Sequence, residues 1–139
     1  MTPAGERRLL QLVIAAACLV PLVAGGMGVL HGPSWLKGMT DATISTDMDS
    51  HFRYVSGIFL GVGVAFASCI TRIEARGKRF RLLSALVVCG GFARLLSLLQ
   101  VGAPSLGHIF GLVMELGVVP LIALWQMRVA LLFAPIRRD

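Results

Sequence analysis

Four long apolar runs, Leu9 to Leu30, Tyr54 to Ile70, Leu82 to Val101 and Leu106 to Phe133, constrain what this chain can fold into. Each is near the roughly 20 residues that carry a helix across a hydrocarbon core of about 30 Å. Lipid offers no hydrogen bonds, so a crossing segment must satisfy its own backbone, and a run of this length does so as an α-helix. The expected fold is all-α: a four-helix transmembrane bundle in a single domain, residues 1–139. Composition points the same way. The chain is 56% hydrophobic and only 14% charged, where soluble domains carry roughly 25% charged residues. One core cannot hide so much apolar surface on so short a chain.

The net charge is +6. Ten of the thirteen Lys and Arg residues flank the apolar runs: Arg7 and Arg8; Arg72, Arg76, Lys78, Arg79 and Arg81; Arg128, Arg137 and Arg138. That is the charge pattern of membrane topology. No basic–aromatic interleaving accompanies it, so a nucleic-acid partner is not expected. Cationic loops stay on the cytoplasmic side. Both termini and the Arg72–Arg81 loop are therefore expected inside. The Gly32–Arg53 loop holds Lys37 and Arg53 against Asp41, Asp47 and Asp49, and is expected outside, as is the turn Gly102-Ala103-Pro104-Ser105. The first run follows Arg7 and Arg8 as a signal peptide would. It is longer than an average signal core and lacks a clean cleavage site, so it is read as a retained helix. In the outer loop Trp35 suits a headgroup-level segment, and Asp49 or Ser50 is the expected cap of the second helix.

Cys18, Cys69 and Cys89 all fall in apolar runs without metal-ligand spacing, and are read as small packing residues. Asp47, Asp49 and His51 have oxygen and nitrogen donors that could meet a metal. Helix capping and loop solvation explain them more simply, so no metal and no cofactor are expected.

The fourth run carries polar residues on one line. At 100° per residue His108, Leu112, Glu115, Val119, Ile122 and Gln126 share a face. Pro120 lies off it and frees the carbonyl of Leu116. Arg94 is about 10 Å from the outer end of the third helix, and Glu115 about 13 Å from the outer end of the fourth. Antiparallel neighbours joined by a tight turn bring such charges to similar depth, and each alone would cost about 2.5–3.5 kcal/mol near the bilayer centre. An Arg94–Glu115 ion pair is expected, with Gly90 and Ser97 on the Arg94 face. With Arg53 at the outer end of the second helix, the outer half gathers a candidate polar cluster of Asp49, His51, Arg53, Arg94, His108 and Glu115. Its alternative reading is purely structural: a buried ion pair can fix helix register. Gly57-x-x-x-Gly61, Gly107-x-x-x-Gly111, and Gly25, Gly26 and Gly28 permit close helix approach, within the chain or between copies.

The string Asp49-Ser50-His51-Phe52-Arg53-Tyr54-Val55-Ser56-Gly57, with Phe59, Gly61 and Gly63 after it, resembles the signature of the bacterial domain-of-unknown-function family 4345. Gly90 to Ser97, then Gly102-Ala103-Pro104, Glu115-Leu116, Pro120-Leu121 and Trp125, fit the same pattern. The resemblance covers nearly the whole chain and departs chiefly at Lys37–Thr46. It implies a small four-helix protein of the bacterial inner membrane and carries no activity with it.

The residues themselves favour a non-enzymatic accessory or scaffold protein, or a small-ligand-binding bundle, because little chain is left outside the membrane for a catalytic domain. Its partners would be the bilayer and either another membrane protein or further copies of the chain. The competing expectation is a membrane-embedded enzyme or proton-coupled carrier. Arg53 and Arg94 would bind an anionic amphipathic substrate, and Glu115 or His108 would handle a proton.

Overall fold

The computed structural model describes residues 2–36, 39–40 and 43–134. Among them the chain is all-helical, with four helices long and apolar enough to cross a membrane. The first is α1, Pro3–His31, followed by a 3-10 turn at Gly32–Trp35. The second is α2, Thr46–Ala67, and the third α3, Gly77–Val101. The fourth, Leu106–Leu132, is built from α4, Leu106–Val113, a π-helical turn at Met114–Val118, and α5, Val119–Leu132.

The first three helices begin ahead of the apolar runs at Leu9, Tyr54 and Leu82. An apolar run measures the part that lipid can hold, whereas a helix begins where its first turn is satisfied. Ser45 does this for α2: its hydroxyl accepts the Met48 amide at 3.1 Å. This corrects the expected cap. Asp49 and Ser50 lie inside the helix, where Asp47 and Asp49 complement its positive end.

The helical chain forms two compact units: Met1–Leu12 with Thr71–Asp139, and Val13–Ile70. In the second unit Ile14, Cys18, Phe66 and Cys69 are buried. Small residues set the approach of α1 to α2. A Cβ on Gly25 would lie 2.7 Å from the Leu60 amide nitrogen, one on Gly28 would collide with the Ser56 hydroxyl, and one on Gly63 would press on Pro21 at 3.1 Å. Gly26 and Gly61 face open space instead. Each is out of phase with the contacting stripe on its helix.

In the first unit Leu10, Ile73, Phe80, Leu83, Ile122 and Val129 are buried. Here α3 meets the fourth span at Gly91, where a Cβ would stand 2.7 Å from Leu116 Cδ2 and 2.9 Å from Glu115 Cβ. Gly90, expected to allow that approach, has nothing within 4 Å. Large apolar side chains such as Leu86, Leu99, Phe110, Leu121 and Leu131 are exposed along the spans. Water would penalise that surface at about 25 cal/mol per Å², and lipid removes the penalty.

A π turn breaks the regular α-helix of the fourth span. Pro120 has no N–H to give the Leu116 carbonyl, and the Val119 N–H reaches back to Met114 O, five residues away. The widened turn holds one residue more than an α turn. The face nonetheless holds: Glu115 and Gln126 both lie against α3, at Gly91 and at Gly77, and Ile122 and Gln126 are buried.

Candidate functional site

Three polar groups stand out in this apolar chain. The first lies between α3 and the fourth span. Arg94 grips Glu115 with two parallel bonds: Nε donates to Oε2 at 3.0 Å and Nη2 to Oε1 at 3.1 Å. Its remaining nitrogen, Nη1, meets His108 Nδ1 at 2.7 Å. A guanidinium can only donate, so Nδ1 is the acceptor and the imidazole carries its hydrogen on Nε2. Gly111 leaves room for the guanidinium, with a notional Cβ 3.6 Å from Arg94 Cζ. The Glu115 side chain is 13% exposed and that of Arg94 32%. Glu115 sits in the π turn, a distortion that recurs at functional positions.

The second group lies where α1 ends and α2 begins. Arg53 Nε donates to Asp49 Oδ2 at 2.8 Å, and Nη1 donates to the carbonyls of Val29 at 2.6 Å and Leu30 at 3.1 Å. Arg53 therefore ties the last turn of α1 to α2 and places a cation at the negative end of α1. The junction requires Gly32, whose φ of +63° suits glycine, and whose missing Cβ leaves space for the Asp49 carboxylate and Arg53. Beside it opens a cleft of about 350 Å³ lined by His31, Ser34, Ile44, Ser45, Thr46, Asp49 and Arg53. Most of its wall can donate or accept hydrogen bonds.

Of the six residues expected to form one cluster, Arg94, His108 and Glu115 come together in one unit and Asp49 and Arg53 in the other. His51 is exposed on α2, with no hydrogen bond among the described residues. Among the described residues no three His, Cys, Asp or Glu side chains group as a metal site would require.

The third group was not expected. It ties the start of α1 to α5 and to the segment before α3, within the first unit. Glu6 is 6% exposed and its Oε1 accepts from Trp125 Nε1 at 3.1 Å and from Arg128 Nε at 2.8 Å. Arg7 Nη1 reaches Glu74 Oε1 at 3.4 Å, and the guanidinium lies over the Phe133 ring at 5.1 Å. Gln126 is 0% exposed, and its Nε2 donates to Ile73 O at 2.9 Å. Three buried atoms here have no partner: Arg7 Nε, Glu74 Oε2 and Gln126 Oε1. Glu6 and Trp125 are 119 positions apart, so helical periodicity cannot connect them. The available signal was chemical: Glu6 and Glu74 are acids that stand among the basic flanks.

No curated protein and no solved structure matches the chain. One family model does, over residues 9–126, which takes in α2, α3, the trio on Arg94 and the Arg53 junction. The chain thus belongs to the family described as "Domain of unknown function (DUF4345)".

Proposed function

We propose that this is a multi-pass protein of the bacterial inner membrane, with both termini cytoplasmic. It is a non-enzymatic accessory protein that binds a small polar molecule at the outer membrane face. The observation that carries the reading is how the polar groups are spent. Arg94 is held by Glu115 and His108, and Arg53 by Asp49 and two carbonyls. A catalyst needs a poised lone pair or proton within reach of substrate, whereas these groups lock helix to helix. What stays open is the cleft at the α1–α2 junction. Asp49 Oδ1 and Arg53 Nη2 stand outside those bonds, and on the cleft wall they suit a ligand with both an amine and a phosphate.

The test is the thermal stability of the detergent-purified chain with free phosphoethanolamine as probe. Saturable protection that is lost in His31→Leu or Thr46→Val supports the reading. Absence of protection at millimolar probe, or turnover of the probe, sinks it.

One observation favours the enzyme or carrier reading instead: the His108 imidazole rests on Arg94 beside Glu115, in a turn whose backbone is not α-helical. That reading requires proton uptake or substrate conversion that disappears in His108→Gln while the fold persists.

A further inference from the structure

The start of α3 is charged against its own dipole. The α3 N-cap position is Arg76, which makes no side-chain cap, and no acid occupies the first turn. Arg76, Lys78, Arg79 and Arg81 all stand at the positive end of a 25-residue helix, where cations are unfavourable. By contrast, α2 has Ser45, Asp47 and Asp49 at its start. Among the described residues no acid compensates the basic turn: Glu6 is committed to Trp125 and Arg128, and Glu74 to Arg7. Arg72, Arg76, Lys78, Arg79 and Arg81 are exposed, and none forms an ion pair among the described residues.

A second feature, independent of charge, marks the same place. Gly77, the first residue of α3, is buried. A Cβ there would lie 3.0 Å from Arg81 Nη1 and 3.1 and 3.4 Å from the amide nitrogen and oxygen of Gln126. Gln126 is fully buried, and its Oε1 has no partner. A buried acceptor in that state calls for a donor.

We infer that the N-terminus of α3 is a binding site for an anionic phospholipid with a hydroxyl-bearing headgroup, of the phosphatidylglycerol type. The phosphate takes the open amides of the first turn, as anions do at helix N-termini, and lies among Arg76, Lys78, Arg79 and Arg81. A headgroup hydroxyl, directly or through one water, supplies the donor that Gln126 Oε1 lacks. Basic segments at the cytoplasmic face meet the anionic lipids of that leaflet. The inference rests on the reading of the chain as a membrane protein and is independent of the outer cleft.

The experiment places the full chain in detergent micelles and titrates dioleoyl phosphatidylglycerol, dioleoyl phosphatidylcholine or inorganic phosphate, reading thermal stability and lipid retention by native mass spectrometry. Phosphatidylglycerol is retained and protective where phosphatidylcholine is not. Arg76→Asp, which gives α3 its own carboxylate cap, lowers that affinity about tenfold while the lipid-free protein melts no earlier. Arg8→Asp makes the same charge change on α1 and leaves the affinity within about twofold. Should Arg76→Asp fail to fold, Arg79→Gln with Arg81→Gln must give the same loss. Equal retention of both lipids overturns the inference, as does equal damage from Arg8→Asp. Equal protection by inorganic phosphate overturns it too, since the site is then a free-anion site. If carbonate strips the chain from membranes, the membrane reading falls with it. If the chain resists carbonate but shows no lipid preference, this inference alone falls.

Discussion

Arg94 shows how one side chain can join two helices while its charge stays paired. Its three nitrogens go to Glu115 and His108, so removing either charge strands the other. Glu115→Leu should cost about 3 kcal/mol, as expected for one broken partner of a buried pair. Arg94→Leu should cost a similar amount. The double change should recover most of the loss, because two apolar side chains fit an apolar setting. Thermal denaturation in detergent across the four proteins measures this coupling. Strictly additive losses mean that the pair is not coupled. Gly32 offers a sharper case. Gly32→Ala combines a positive φ with a Cβ set against Asp49 and Arg53, and should cost at least about 1–2 kcal/mol. Unchanged melting means that the junction re-forms another way. At this scale the sequence is informative where depth and a tight turn restrict the choices, as for Arg94 and Glu115. It is silent where partners lie at opposite ends of the chain, as for Glu6 with Trp125 and Arg128. The role of Arg53 was also hidden, because its key acceptors are backbone carbonyls of Val29 and Leu30, which leave no mark in a residue pattern.

Helix contacts are decided by which small residue falls on the seam. Motif spacing gives candidates in pairs, and phase then selects among them. Gly91, not Gly90, takes the contact with Leu116, and Gly25 and Gly28 rather than Gly26 take those with α2. Periodicity is ambiguous between adjacent glycines because either can be placed on the buried face by a small rotation. In the fourth span the π turn at Met114–Val118 interrupts the regular α step, yet Glu115 and Gln126 both lie against α3, at Gly91 and at Gly77. The expected consequence at Gly91 is specific. Gly91→Ala should push α3 from the π turn and destabilise by about 1–3 kcal/mol, the range for overpacking. Gly90→Ala should be neutral, or slightly stabilising through helix propensity. The ratio of the two losses, read from melting in one detergent, checks it. If Gly90→Ala is the more harmful, the helix faces are assigned wrongly.

Across the whole molecule, charge and apolarity divide the work. Helix number was legible because lipid leaves a long apolar segment one conformation. Helix ends were less so, because capping at Ser45 operates outside the apolar run. Orientation depends on a different property, the placement of Lys and Arg in short loops. The segment Thr71–Arg81 holds five cations and one acid, whereas Gly32–Arg53 holds two cations and three acids. A chain with this asymmetry should insert with Ala75 inside and Thr43 outside. The test uses a background in which Cys18, Cys69 and Cys89 are replaced by alanine or serine, with Ala75→Cys or Thr43→Cys added. A membrane-impermeant maleimide should label the Thr43 position in spheroplasts and the Ala75 position only after permeabilisation. The reversed pattern means that the charge rule has been read backwards. Labelling of both positions in sealed spheroplasts means mixed insertion, and neither loop would then be confined to one leaflet. The outcome also bears on both binding proposals. The cleft beside Arg53 requires the outer surface, and the basic start of α3 requires the leaflet face where cationic loops are retained. A single orientation satisfies both demands, because one long apolar helix, α2, lies between the two segments along the sequence.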